Sequence, residues 1–168
     1  MPIVQRLIGL TALRVAPQDL PYAPGLLVPV VIASVAANYI ALTLGPSLAS
    51  TASPWLLLAV ITGYTAAFFD GVLQWRGLVE RRVKTLLAVF GTDTVIVTVQ
   101  GLALAIGDWQ QPGPLAAFMS LSLLMWQLAV FVHILRHALS CRLGEATAWV
   151  AGYWLGTEVL IAAVSGGS

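Results

Sequence analysis

The chain has 168 residues, of which 59% are apolar and 9% charged, with a mean hydropathy of +0.90 and a net charge of +1. A soluble domain carries roughly a quarter of its residues as charges to cover its surface, so this composition excludes one and makes lipid the main solvent. The eight basic side chains lie in short clusters between apolar runs, which excludes the continuous basic stripe of a nucleic-acid-binding protein.

In chain order, residues 3 to 14 place Ile3, Val4, Leu7, Ile8 and Leu10 near helical spacing among Gln5, Arg6 and Arg14. That pattern predicts a short helix lying on the membrane surface, ended by Pro17. No small-residue cleavage site follows the arginines, so the segment does not read as a secretory signal.

About twenty apolar residues at ~1.5 Å each cross a hydrocarbon core of ~30 Å. Five runs meet that length: Leu26 to Leu44, Trp55 to Leu73, Leu86 to Ile106, Leu115 to Leu135 and Ala146 to Val164. Each is expected to be helical, because an open sheet leaves backbone groups unpaired in lipid. The predicted fold class is thus an all-α integral membrane protein, one transmembrane domain of five helices behind an N-terminal interfacial helix. Gly45-Pro46, Ser53-Pro54 and Pro112-Gly113-Pro114 break the chain on one side, and charged connections do so on the other. Trp55, Trp75, Trp109 and Trp149 fall at span ends, where an amphipathic ring prefers the headgroups, while Trp126 and Trp154 are assigned to the interior.

Every Lys and Arg falls on one predicted side: Arg6, Arg14, Arg76, Arg81, Arg82, Lys84, Arg136 and Arg142. The other side carries Asp108 as its charged side chain. The positive-inside rule therefore predicts a cytoplasmic N-terminus and an external C-terminus, periplasmic if the membrane is a bacterial inner membrane. The single cysteine, Cys141, excludes an internal disulfide and reads as a plain thiol on the reducing side.

An ionisable group at mid-bilayer costs about 2.5 to 3.5 kcal/mol on insertion scales, so each one needs a partner or a purpose. Asp93 is placed about 4 to 5 Å to the cytoplasmic side of its span centre, and Glu158 about 4 Å to the outer side. The same arithmetic puts Asn38 and Gln100 at the level of Glu158, and Gln127 at that of Asp93, giving two polar layers. With no cation at either depth, both acids are expected to be neutral and hydrogen-bonded to these amides. Asp70, near the cytoplasmic end of span two, is within reach of His133, Arg76 or Arg82. The functional reading of these groups is a proton or ion path from Asp70 and His133 through Asp93 to Glu158; the structural one is interhelical hydrogen bonding that fixes packing.

His133 and His137, four apart, have the spacing of two ligands on one helix face, which a haem or quinone protein would use. Neither Cys nor a second carboxylate accompanies them, so no metal site is predicted. Small residues recur every fourth position as Ala33, Ala37 and Ala41 in span one, and as Ala148, Gly152 and Gly156 in span five. Such stripes let helices approach closely, either against each other or against another membrane protein. Gly156 and Glu158 point to nearly opposite sides of span five, which favours a central place for that helix. No hydrolase nucleophile, phosphate loop or metalloprotease helix is present in the sequence, and no enzymatic activity is predicted.

The segment Asp19-Leu20-Pro21-Tyr22-Ala23-Pro24-Gly25 before the first span is similar to the Asp-Leu-Tyr-Gly-Pro stretch of the Yip family of five-span membrane proteins. That resemblance implies five spans, a cytoplasmic N-terminus and a role in binding small GTPases and shaping transport membranes. GTPase binding is not carried over, because no substantial cytoplasmic domain is predicted. Pro17 to Pro21 and His133 to Leu139 also resemble segments of small bacterial inner-membrane proteins of unassigned activity, which implies the same location and topology. The leading expectation is a non-enzymatic scaffold or accessory subunit, with the bilayer and other integral membrane proteins as partners. A proton- or ion-coupled transport or channel component using Asp93 and Glu158 is the alternative, and a haem or quinone protein the third.

Overall fold

The computed structural model describes residues 3–44, 53–106 and 114–166, the side chains of 104–106 and 114–116 excepted. Gly45-Pro46, Pro112-Gly113, Asp108 and Trp109 lie outside the described residues. A short helix α1 (Ile3–Thr11) precedes α2 (Leu27–Leu44), α3 (Pro54–Trp75), α4 (Arg82–Ile106), α5 (Pro114–Leu139) and α6 (Leu143–Gly166). The last five are long and apolar enough to cross a membrane, which fits a multi-pass membrane protein. Their outer faces expose Ile32, Leu102, Phe118, Leu121 and Val159, side chains that only lipid covers at little cost.

Helix starts and stops follow local chemistry. Pro54 and Pro114 open α3 and α5, where a missing N–H is no loss and the fixed φ suits the first turn. Helix α3 closes with Gly77 at φ +69°, the Leu78 amide bonding the Leu73 carbonyl and the Gly77 amide the Gln74 carbonyl. Leu13 (φ 59°) closes α1 and Ser140 (φ 51°) closes α5 by the same pair of bonds, at a local cost of roughly 1 to 2 kcal/mol for a residue with a Cβ. Arg81 offsets this at α5, donating to the Ala138 carbonyl and the Ser140 hydroxyl, both at 2.8 Å, where the helix leaves carbonyls unpaired.

Arg76, Arg81, Arg82, Lys84, Arg136 and Arg142 gather at one end of the bundle, the basic end. There Arg76 pairs with Glu145 across α3 and α6, and Arg82 with Asp70 at 2.7 Å. Asp70 therefore meets one of the two arginines expected of it and not His133. Burial, reinforced by the Glu145 carboxylate, pushes the Cys141 thiol above its ordinary value.

Helix α4 is the centre of the bundle, packing on α1, α2, α3 and α5, whereas α6 packs on α5 and α3 at the periphery. The central place expected for span five thus belongs to span three. Alternate faces of α6 do point apart, but one of them is exposed. The dry core lies toward the basic end, where Phe69, Leu73, Leu87, Val130, Ile134 and Leu135 are almost fully buried.

The N-terminal helix does not rest across the helix ends. It runs down into the groove between α4 and α5, where Leu7 and Leu10 join the core. Gln18 bonds the His137 and Lys84 ends of α5 and α4, its side chain donating to His137 and its carbonyl accepting from Lys84. Farther from that end Leu7 packs on Gly91, seven residues beyond Lys84, and Trp126 donates to the Thr11 carbonyl, seven residues beyond His133 and its contact with Val15. Seven residues of helix correspond to about 10 Å of descent. A Cβ at Gly91 would lie 2.5 Å from a methyl of Leu7, so glycine is what lets α1 approach. Gly91→Val should destabilise the protein by about 1 to 3 kcal/mol through overpacking, and Leu7→Ala in the same chain should recover part of that loss. Thermal unfolding of both variants in one detergent tests it; simple addition of the two losses contradicts this contact.

Candidate functional site

Ser34 and Asn38 sit four apart on α2, which puts both side chains on the face that α2 lays against α4. Opposite them, near the midpoint of α4, is Asp93. Its Oδ2 accepts hydrogen bonds from the Ser34 hydroxyl at 2.6 Å and the Asn38 amide at 2.8 Å. Its Oδ1 accepts one from the Gln127 amide of α5 at 3.3 Å. Three helices thus meet on one carboxyl group, and no Lys or Arg takes part.

Beside Asp93 is a cavity of about 150 Å³ to which α2, α3, α4, α5 and α6 all contribute. Its wall is mixed. Ser34, Asn38, Thr62, Thr65, Gln127 and Thr157 supply polar groups, and Phe90, Phe131, Tyr153 and Trp154 supply aromatic surface. On α6, Tyr153 and Thr157 are one turn apart and face inward together. The Tyr153 hydroxyl is 2.9 Å from that of Thr65, and its ring stacks on Tyr64 at 5.6 Å. Toward the basic end the space is closed by Phe69, Phe131 and Tyr153, whose centroids are 5.5 to 5.7 Å apart. A cavity of this size has room for roughly five waters at ~30 Å³ each, with Ser34, Asn38, Asp93 and Gln127 as the polar side of its wall.

Asp93, Gln127 and Asn38 come together, but not in the two layers read from the sequence. Asn38 was assigned to the level of Glu158 and instead bonds Asp93. The reason lies at the start of α4, which begins at Arg82, four residues before the predicted span. That shift moves the helix midpoint, and with it Asp93, about 3 Å closer to the level of Asn38. Gln100 is half-buried two turns beyond Asp93 and takes no part in this network among the described residues.

Glu158 is not in the site. It is exposed on the outer face of α6, next to the inward-facing Thr157, with no hydrogen bond or ion pair among the described residues. A continuous path from Asp93 to Glu158 therefore has no support in this arrangement. His133 and His137 lie ring against ring, centroids 4.5 Å apart, with His133 Nε2 donating to the Val15 carbonyl at 2.9 Å. A haem or quinone at this pair would have to displace the N-terminal segment from His133.

The small-residue stripes meet different neighbours. Ala37 and Ala41 are half-buried and Ala33 exposed on α2, which packs on α4. On α6, Ala148 and Gly152 are exposed, while Gly156 carries the side chain of Tyr64 so closely that a Cβ there would strike its hydroxyl. Ser34, Thr65, Tyr153 and Thr157 were not among the residues singled out from sequence, whereas Trp154, expected in the interior, lines the cavity. The i, i+4 pair of Ser34 and Asn38 was the available signal.

The chain matches no family model, no curated protein and no solved structure, so the site is read from its own geometry. Gly156→Leu should displace Tyr64 from the α3–α6 seam and lower stability by about 1 to 3 kcal/mol. Gly152→Leu, one turn away in open space, should change it by no more than about 0.5 kcal/mol. Equal melting temperatures for the two variants would contradict this packing.

Proposed function

We propose that this protein is a small proton- or ion-coupled transport component whose working group is Asp93 in the intramembrane cavity. The observation that carries this reading is a carboxyl group held by three neutral donors beside a cavity of mixed lining, in a protein otherwise built of apolar spans. A packing device needs its donors and acceptors paired, and needs no adjoining cavity. An acid that exchanges a proton with a bound solute needs both. Gln127 can present either end of its amide, so Asp93 can keep a partner on Oδ1 whether or not it carries a proton. Glu158 has no role in this version of the transport reading.

The charge asymmetry supports an orientation with the N-terminus cytoplasmic and the C-terminus on the opposite side, periplasmic if the membrane is a bacterial inner membrane. In that orientation the aromatic closure of Phe69, Phe131 and Tyr153 lies on the cytoplasmic side of the cavity. Reconstituted in liposomes with a pH gradient, the wild-type protein should conduct protons or exchange them for an added cation, and Asp93→Asn should abolish that flux. A flux equal in the two proteins rejects the reading.

The accessory-subunit reading keeps one observation of its own. Ala148, Ala151, Gly152, Leu155, Glu158 and Val159 form one exposed face along α6, and a carboxyl group there is costly against lipid. A partner helix that approaches on the small residues and hydrogen-bonds Glu158 removes that cost. In mild detergent, native membranes should then yield the chain in a complex that Glu158→Leu reduces to the free protein. A wild-type chain that already migrates alone removes this reading.

A further inference from the structure

The wall of the Asp93 cavity narrows the chemistry of what can occupy it, and this step rests on the cavity being a binding site. No cationic side chain lines it among the described residues, and its one carboxylic acid is Asp93, so an anion finds no counter-charge there. The donor hydrogens on its wall are largely committed, whereas the side-chain oxygens of Asn38, Gln127 and Thr157 remain as acceptors. Three donors occupy both oxygens of Asp93. The Thr65 hydroxyl is taken by the Ile61 carbonyl and the Tyr153 hydroxyl, and that of Thr157 by the Tyr153 carbonyl. A wall that offers acceptors and a carboxyl group suits a cation, and its four aromatic side chains favour one that carries methyl groups in place of N–H donors.

We infer that the cavity binds a small quaternary ammonium ion, between tetramethylammonium and choline in size, with its charge opposite the Asp93 carboxylate. Phe90, Phe131, Tyr153 and Trp154 give that cation aromatic surface, the recognition that quaternary ammonium groups favour. The volume is appropriate, since an apolar cavity of about 150 Å³ accepts benzene. Proton balance follows directly: a protonated Asp93 releases its proton to water as the cation enters, leaving carboxylate and cation paired and one H⁺ free. The cation and the proton thus compete for one group, which is the exchange required for coupling.

Trp154 provides a reporter. Purified protein in detergent, titrated with tetramethylammonium chloride against matched sodium chloride, should show a saturable change in tryptophan fluorescence. Neopentyl alcohol, a neutral molecule of similar shape, should bind at least tenfold more weakly. Asp93→Asn, nearly isosteric and checked for folding by its helical circular dichroism and melting curve, should also lose affinity at least tenfold. Trp154→Phe should remove most of the signal while a competition assay with radiolabelled tetramethylammonium still registers binding. In weakly buffered solution below the midpoint of Asp93 titration, binding should release close to one proton per cation. Equal affinity for the neutral isostere would leave an apolar pocket and overturn the inference. So would undiminished binding in Asp93→Asn, or no saturable response to the cation. Proton flux that depends on Asp93 without tetramethylammonium binding overturns the ligand assignment and leaves the transport reading standing, whereas loss of both overturns the two together.

Discussion

The arrangement depends on one constraint: a carboxyl group placed near the middle of an apolar bundle cannot be left to lipid, and here no cation reaches it. Its hydrogen bonds must come from neutral donors on other helices. Ser34 and Asn38 commit α2 to α4, and Gln127 commits α5. Helix α2 is otherwise the least buried span, and Ser34 is the one residue that it buries. Its rotational setting about its own axis is therefore fixed by the bonds to Asp93 together with its close packing on α4.

The two halves of the bundle differ in kind. At the basic end the N-terminal segment fills the groove between α4 and α5, Arg81 ties the end of α5, and Arg76 and Arg82 bridge to acids. The core there is dry and close-packed. Beyond Phe69, Phe131 and Tyr153 the side chains turn polar and leave space. Close-packed support beneath a cavity of mixed lining is the division expected of a site that must hold its geometry while its contents change. The close contacts at Gly91 and Gly156 lie at the level of the cavity itself: one admits α1 behind Asp93, and the other seats Tyr64 against α6.

Much of the architecture was legible because the membrane leaves few choices. Five apolar runs of the right length in a chain this poor in charge have to be helices. The helix boundaries were harder. Arg82 and Lys84 looked like part of a connection, but long basic side chains can lie in the first turn of a span and still reach water, so α4 starts earlier than its apolar run. The error of one turn split a single polar cluster into two apparent layers. Glu158 was misplaced for a different reason. Ionisable groups inside membranes usually face the interior, and sequence carries no information about which face of α6 that is until Tyr153 and Thr157 are seen to occupy it. The path of α1 was equally hidden, because an amphipathic stretch reads alike whether its apolar face meets lipid or the groove beside Gly91.

The bond from Asn38 to Asp93 spans 55 residues of sequence, and that separation bears on how the chain is made. Ribosomes add roughly 5 to 20 residues per second, so α2 is complete for about 2 to 10 s before its acidic partner is made. During that interval the Asn38 amide has to find an acceptor within its own helix. The Ser34 carbonyl, 3.0 Å away, is already positioned for this. A newly inserted α2 can thus shelter its amide locally, and the later arrival of α4 adds a second acceptor without requiring the first to be given up.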